Sequence, residues 1–420
     1  MKKTLLLSVV ASTMIMAGGD IAPVEPVVET PVVAEASGWD FGGQGVVYYQ
    51  TRDTHHDDLF EKEVSGAAAG LQVHGVNKDI FAGIGAGFEV SGISDLYLAP
   101  EVVSYLVQSA NNGVNAEDLL NNRGSVDSGA EITQAYLTYA FGNTSIKLGR
   151  QQLPKALSPF AFSESWNVFK NTYDAALVVN TDLPDTTVVL ANVKGANHVL
   201  ALGNFDEVNA NDGAYMLTLQ NKSVENLTLT GTAYFLPNLF ANLGYNKDDA
   251  TILWGDAKYN MDTFNVALQG GTVMGDMVAA NANDTVAFGA KVGGNFGMFD
   301  ASLAYSNVND GNLGIHNVGG VKTPLYTQMI LNQDAIRTDN DTFVARVGAE
   351  ALGGKFGLAV DYTKNNATGG EDYTEVDLTY KTKVFNDSTS VFAGYVYTQQ
   401  DGVNHDDAQN MIRVWGRYNF

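Results

Sequence analysis

The chain has 420 residues, a formal net charge of −23 at pH 7 and no cysteine. So large an acidic excess argues against nucleic acid as a partner, because nucleic-acid binding needs a basic surface. Without cysteine, an exported protein gains no disulfide stability and needs another source of rigidity.

The N-terminus has the layout of a secretory signal. Lys2 and Lys3 precede an apolar run over 5–17, which is a charged region followed by a hydrophobic one too short to span a bilayer. We place cleavage near 17–19 and so assign residues 1–19 to the signal peptide. Ala34-Glu35-Ala36 fits the small-x-small cleavage pattern better but lies far from the hydrophobic region. Residues 20–38 are rich in Pro, Val and Glu, a composition that predicts an extended periplasmic tail or linker without a core.

The remaining residues, 39–420, read as a series of two-faced segments joined by turns. We place about 18 strands of about nine to twelve residues each, the length that a tilted membrane strand needs. Their spans are 42–52, 66–76, 80–90, 130–141, 144–152, 173–181, 187–195, 213–221, 226–236, 250–259, 263–273, 284–293, 298–307, 341–351, 355–365, 372–384, 389–400 and 409–420. The predicted fold class is all-β, a transmembrane antiparallel β-barrel.

Turn lengths support this prediction. Connections after even-numbered strands are tight, whereas those after odd-numbered strands are longer and polar, notably 91–129, 153–172 and 308–340. Short periplasmic turns and long extracellular loops produce this asymmetry in outer-membrane barrels. An even strand count also returns both ends of the barrel to the same side.

Glycines 83, 85 and 87 alternate along the third predicted strand. A period of two places Gly83, Gly85 and Gly87 on one side of that strand, and no helix with a lysine follows, as a phosphate-binding loop would require. We therefore expect a side chain or loop to approach the backbone closely inside the barrel.

Aromatic residues near predicted strand ends lie mostly on the apolar face. This placement predicts girdles at the two membrane interfaces, although strand propensity alone also favours aromatics. The residues are Tyr139, Phe141, Tyr259, Tyr362, Tyr380, Tyr418 and Phe420.

Charged side chains occupy the opposite face of the strands. A charge on the lipid face costs about 2–4 kcal/mol at mid-bilayer, so these side chains are expected to line a water-filled lumen. The basic candidates are Lys291, Arg346, Lys381, Arg413 and Arg417, and the acidic ones are Asp300, Glu350, Asp361, Glu375 and Asp377. Segregated charges would set a transverse field, and the acidic excess predicts a mild preference for cations.

Loop 153–172 is too apolar for open water. Phe160, Phe162 and Trp166, with Glu164 between them, need a surface to pack against. An inward fold against the barrel wall would provide one and would narrow the pore. Loop 308–340 raises the same question, and packing over the outer mouth or at a subunit interface is the alternative for both loops.

The C-terminal strand has the clearest alternation. Ile412, Val414, Gly416, Tyr418 and Phe420 share one face, and Arg413, Trp415, Arg417 and Asn419 share the other. A half-buried edge strand in a soluble sheet is the alternative interpretation. The ending resembles the terminal strand of bacterial outer-membrane proteins, in which the final phenylalanine and alternating apolar residues serve as an insertion signal.

The run 136–151 resembles the fourth and fifth strands of porins from campylobacterial outer membranes, a family related in fold to the porin D group. The Phe-Ser-Glu-Ser-Trp-Asn segment at 162–167, the Thr-Pro-Leu-Tyr-Thr-Gln-Met segment at 323–329 and the terminal strand are also similar to that family. The resemblance implies an 18-stranded barrel, a constriction made by loops and a homotrimer. Arg150 fits poorly, because it shares parity with Leu148 and would face lipid unless the strand bulges or ends near Gly149.

Catalysis finds little support. His55-His56-Asp57-Asp58 could bind a metal, but a solvated loop is the simpler interpretation, and no histidine has a metal-motif partner at i+4. Glu375 and Asp377 could form a catalytic carboxylate pair, yet in a porin they are lumen charges. We predict no enzyme activity, cofactor or metal.

The predicted function is passive diffusion of small hydrophilic solutes and ions across a Gram-negative outer membrane, with lipid and lipopolysaccharide around the barrel. Two other classes stay open. A surface adhesin or receptor would act through its long loops, and a barrel lipase would need a Ser-His pair at the rim, which the sequence does not show.

Overall fold

A computed structural model describes residues 38–54, 57–96, 107–108, 128–197, 202–203, 205–209, 212–239, 249–275, 283–385, 387–401 and 408–420. The predicted signal peptide, His55, His56 and most of loop 91–129 lie outside the described residues.

The described residues form long strands and little helix. The strands are β1 (Asp40–Arg52), β2 (Ser65–Phe81), β3 (Ile84–Ser94), β4 (Gly129–Phe141), β5 (Thr144–Gln151), β6 (Tyr173–Asn180), β7 (Thr186–Asn197), β8 (Phe205–Glu207), β9 (Ala214–Asn221), β10 (Leu227–Leu236), β11 (Ala250–Asn260), β12 (Phe264–Gly275), β13 (Thr285–Phe296), β14 (Phe299–Val308), β15 (Asn340–Ala351), β16 (Gly354–Asn365), β17 (Asp372–Lys383), β18 (Thr389–Asp401) and β19 (Ala408–Asn419). A 3-10 turn covers Lys62–Val64, and a short helix, α1, covers Gln333–Ile336. No helix among these residues is long and apolar enough to cross a membrane.

The strands form one closed antiparallel sheet. Each long strand pairs with its sequence neighbours, β7 pairs with β9 across the short β8, and β1 pairs with β19 to close the barrel. At the closure Val46 lies opposite Arg417, and Val47 lies opposite Gly416. Without β8, the closed sheet has 18 strands, which confirms the predicted fold class.

The connections sort by length as predicted. Gly142-Asn143, Gly297-Met298 and Leu352-Gly353 suffice for three of the turns at one end, and Gly142, Gly297 and Gly353 all have positive φ. The longer connections, including 152–172 and 309–339, lie at the other end. We call these the short-turn end and the long-loop end.

The second hairpin differs from the prediction. β2 continues to Phe81 and β3 begins at Ile84, so the turn is at 82–83 and not before residue 80. Gly83 therefore lies in the turn, with φ of 83°, and not on the strand face. Gly87 does allow a close approach, since a Cβ there would be 2.2 Å from Cζ of Tyr136.

The outer face of the sheet exposes large apolar side chains, as expected for a membrane barrel. Leu303 and Phe343 on the outer face are 62% and 55% exposed, whereas their neighbours Ala304 and Val344 on the inner face are almost fully buried. At the short-turn end, the rings of Tyr418 and Phe420 stack with centroids 6.1 Å apart on the outer face. This aromatic pair lies where an interface girdle is expected.

Arg150 lies on the same face of β5 as Leu148, and an ion pair neutralises its charge there. It lies opposite Ala135 and Asp174, and its Nε is 2.9 Å from Oδ1 of Asp174. The ring of Phe205 covers its guanidinium carbon at 3.3 Å. Arg150 thus belongs to an ion pair at the long-loop end of the wall.

Candidate functional site in the barrel interior

Loop 152–172 lies inside the barrel. The ring of Phe160 packs against Trp254 of β11 and Tyr234 of β10, with centroids 5.3 and 5.8 Å away. Trp166, further along the loop, contacts Phe392 of β18 at 6.4 Å. These wall residues lie on the inner face, in two distant parts of the strand order, so the loop crosses the interior.

Loop 309–339 enters the interior as well. Met329 and Ile330 near its middle are 0% and 2% exposed and pack against inner-face residues of the wall. The Tyr326 hydroxyl donates to Asp256 of β11. Arg346 of β15 donates to two loop carbonyls, Nη1 to Tyr326 at 3.2 Å and Nη2 to Gln328 at 2.9 Å.

Glu164 joins the two loops. Its side chain is 4% exposed, and its Oε1 accepts hydrogen bonds from Asn317 Nδ2 at 2.9 Å and from the backbone N–H groups of Val321 and Lys322 at 3.0 Å each. Gly320 allows this approach, because a Cβ there would be 2.0 Å from the same oxygen. The predicted constriction-loop residue Glu164 is therefore one of the contacts between the two loops.

Asn317 and Tyr173 form a second contact between the two loops. Asn317 Nδ2 also donates to the carbonyl of Phe162 at 2.8 Å, and Asn317 Oδ1 accepts from the backbone N–H of Phe162 at 2.8 Å. The Tyr173 hydroxyl lies 2.8 Å from the same carbonyl. Together these bonds tie loop 309–339 to loop 152–172 and to the start of β6.

Three predicted acidic residues, Asp361, Glu375 and Asp377, are fully buried beneath loop 309–339. Glu375 Oε1 accepts from the backbone N–H of Leu331 at 2.9 Å, and Asp361 accepts from the amide of Asn332. Both carboxylate oxygens of Asp377 are buried without a hydrogen-bond partner. No trio of acidic, histidine or cysteine side chains in the described ranges could hold a metal ion.

The other predicted charges lie mainly toward the short-turn end. Lys355 Nζ lies 2.5 Å from Oδ2 of Asp300, and Lys381 lies above the ring of Trp415 at 5.9 Å. Glu350 is exposed at the end of β15, whereas Lys291 is 9% exposed in the middle of β13. The interior thus has buried carboxylates toward its long-loop half and basic groups toward its short-turn half.

Arg413 and Arg417 point from β19 into the interior and contact loop 152–172. Arg413 is 3% exposed. The alternation of β19 predicted the inward direction of both side chains. It did not predict that loop backbone would occupy their donors.

Several residues of this interior were not anticipated. Asn317, Tyr173 and Asn332 make the contacts described above, and Gln50 of β1 binds Arg413. Of these, only Gln50 carried a usable signal, since it is a polar residue on the inner face of a strand next to the terminal one. The loop residues depend on long-range packing that local pattern does not encode.

Comparison with known proteins shows what the chain is similar to in fold. No family model and no curated protein matches it. OccAB2 of Acinetobacter baumannii superposes with a TM-score of 0.72 at 15% identity, covering 92% of this chain and 99% of that one. Pseudomonas aeruginosa OpdK, crystallised with vanillate, gives 0.70 at 13% identity, covering 91% and 98%.

OccK8 (OprE) of P. aeruginosa gives a TM-score of 0.70 at 14% identity, again covering 91% of this chain and 98% of that one. The similarity runs through almost the whole length of each protein. At such identities it is a likeness of fold, that of an outer-membrane barrel. It fits the expected relationship in fold to the porin D group.

Proposed function

We propose that the protein is an outer-membrane porin through which small hydrophilic solutes and ions diffuse passively. The observation that carries this proposal is a closed membrane-type barrel whose inner face is polar and charged and whose interior is narrowed by two loops. Water and polar solutes can use such an interior, whereas an apolar core would exclude them. The likeness in fold to OpdK, whose crystal structure contains vanillate, supports the same proposal.

Selectivity in this proposal has two sources, which are pore width and fixed charge. Phe160, Phe162, Glu164 and Trp166 lie on the loop that narrows the interior, and the ten predicted lumen charges are the proposed pore lining. We propose a mild preference for cations, because the chain is strongly acidic and exposed carboxylates crowd the long-loop end. These include Asp58, Glu61, Glu63, Glu207, Asp310 and Asp334.

Basic side chains inside the barrel oppose the proposed preference for cations. Lys258 is paired with Asp256 and Lys355 with Asp300, so neutralised pairs weaken the inner positive field. Lys381 and Arg417 strengthen that positive field. A reversal potential measured in a salt gradient decides the balance, and an anion-selective value contradicts the cation preference while leaving the pore itself in place.

We also propose the cellular setting. Lys2, Lys3 and the apolar run over 5–17 support export through a signal peptide over 1–19, and the aromatic end of the terminal strand supports insertion into the outer membrane. The acidic charge supports contact with lipopolysaccharide, and the resemblance to campylobacterial-type porins supports assembly as a homotrimer. Chemical cross-linking in outer-membrane preparations tests the trimer, and N-terminal sequencing of the mature protein tests the cleavage site.

Liposome swelling tests solute passage directly. Proteoliposomes with the refolded protein are expected to swell in small sugars and amino acids, and more slowly as solute size increases. Vanillate, the ligand present with OpdK, is a useful first aromatic anion to compare. An adhesin acting through its loops would give no swelling above that of empty liposomes.

A further inference from the structure

The side chains of two arginines of the terminal strand donate hydrogen bonds to consecutive backbone carbonyls of loop 152–172. Nη1 of Arg413 lies 2.6 Å from the carbonyl oxygen of Trp166. Nη2 of Arg417 lies 2.9 Å from that of Asn167, and its Nη1 lies 2.8 Å from that of Val168. The two guanidinium groups thus bind three successive peptide carbonyls.

The remaining donors and the flat faces of both groups are also used. Arg413 Nε lies 2.6 Å from Oε1 of Gln50, and the Arg413 guanidinium carbon is 3.5 Å from the ring centroid of Trp166. Arg417 lies 4.8 Å above the ring of Trp415, and its Nη1 also reaches Gln44 Oε1 at 3.1 Å. Little of either group is left to offer to a passing solute.

We propose that Arg413 and Arg417 are positioning residues that hold loop 152–172 against the wall and thereby set the width of the pore. This rests on the proposed porin function. Charge-assisted hydrogen bonds are stronger than neutral ones, and a guanidinium presents several donors in one fixed plane. An ammonium group in the same place cannot bind two neighbouring carbonyls and a glutamine with that geometry.

The loop needs this anchor because its backbone has entered the interior. Buried carbonyl groups that lose their partner cost free energy, and residues 166–168 belong to no strand. Without the arginines, these carbonyls would need hydrogen bonds from water instead. Release of this segment would open space beside β18, β19 and β1.

Lys381 of β17 provides a matched control. It is a base on the inner face near Arg417, half-buried above Trp415. Among the described residues no hydrogen bond links Lys381 to loop 152–172. Its charge acts on the pore without fixing the loop, so charge effects and positioning effects can be separated.

The test compares purified, refolded wild-type protein with Arg413→Gln/Arg417→Gln, Arg413→Lys/Arg417→Lys and Lys381→Gln in planar bilayers. We expect both double variants to raise single-channel conductance, by about twofold or more. The lysine pair keeps the positive charge but lacks the planar guanidinium donors that bind the loop carbonyls. We expect Lys381→Gln to shift the reversal potential toward cations, because it removes a lining charge but no contact with loop 152–172. A lysine pair that conducts like wild type would overturn the proposal.

A second readout does not depend on conduction. Trypsin cleavage after Lys155 and Lys170, which flank the anchored carbonyls, is measured in detergent on samples that retain heat-modifiable migration on gels. We expect cleavage of both double variants at least several-fold faster than of wild type or Lys381→Gln. Equal cleavage overturns the positioning role. Faster cleavage in a protein that does not conduct supports the anchor and refutes the porin function.

Discussion

The Oε1 atom of Glu164 lies 2.9 Å from the Nδ2 atom of Asn317, and this bond joins two loops that are separated by 153 positions in the sequence. The same oxygen accepts two backbone N–H groups of loop 309–339. A carboxylate with three donors is a strong hydrogen-bonded unit. The two loops are therefore held to each other inside the barrel, and Glu164 accepts three of the hydrogen bonds between them.

Replacing Glu164 by alanine is expected to loosen both loops. The change removes the acceptor of one Asn317 amide N–H and of the backbone N–H groups of Val321 and Lys322, at a cost of about 1–3 kcal/mol for each group that stays buried without a partner. Trypsin should cleave faster after Lys322, which is 4% exposed in the intact interior. Glu350→Ala is the matched control, because Glu350 is exposed at a strand end, and equal cleavage of both variants would show that Glu164 does not hold the loops.

Gly320→Ala is expected to reproduce the effect of losing Glu164, since the added Cβ would lie 2.0 Å from the carboxylate oxygen. Gly231→Ala is the control, because a Cβ there meets nothing within 4 Å. The temperature at which each protein loses its compact migration on detergent gels measures the difference. A Gly320→Ala variant as heat-resistant as Gly231→Ala would contradict the close approach.

Asp377→Asn is expected to raise the thermal stability of the barrel. The wild-type carboxyl is fully buried close to that of Glu375, and two neighbouring buried carboxyls either repel each other or must hold a proton, at a cost in free energy. A neutral amide of the same shape avoids most of that cost, so we expect a gain of about 1 kcal/mol or more at pH 7. Asp387→Asn, at a side chain 95% exposed, should have no effect, and a destabilised Asp377→Asn protein would argue for an unseen partner of this carboxylate.

Barrel closure can be tested by cross-linking β1 to β19. Val47 and Gly416 are opposite each other on the outer face, at a separation that a disulfide between adjacent strands can span. The native chain has no cysteine, so Val47→Cys/Gly416→Cys should form one internal disulfide on mild oxidation and resist heat unfolding until it is reduced. The pair Val47→Cys/Leu303→Cys, with Leu303 on distant β14, should stay reduced, and the reverse result would contradict the closure.

Much of this fold is readable from the sequence, because a period of two assigns every strand residue to one face. Val344 and Phe343 or Tyr234 and Phe235 differ in burial as their alternation predicts. The turn at 82–83 was missed because β2 is irregular between Asn77 and Phe81. The three-residue β8 is too short to give any periodic signal.

The interior was less predictable, for a physical reason. Parity shows that Asp361, Glu375 and Arg413 point inward, but it does not show what they meet there. Two loops distant in sequence fill the space, so Asp361 and Glu375 are buried and Arg413 binds backbone. The aromatic content of loop 153–172 indicated that it needed a packing surface. No pattern in the local sequence indicated that Asn317 would bind this loop.

Single-channel recording of the purified, refolded wild-type protein in a planar bilayer tests the central claim most directly. We predict discrete, ohmic conductance steps at neutral pH that persist at low voltage, since a closed barrel with a charged interior should conduct ions. Protein that shows heat-modifiable barrel migration but produces no steps above the bare membrane would contradict the porin function and favour a surface role for the barrel.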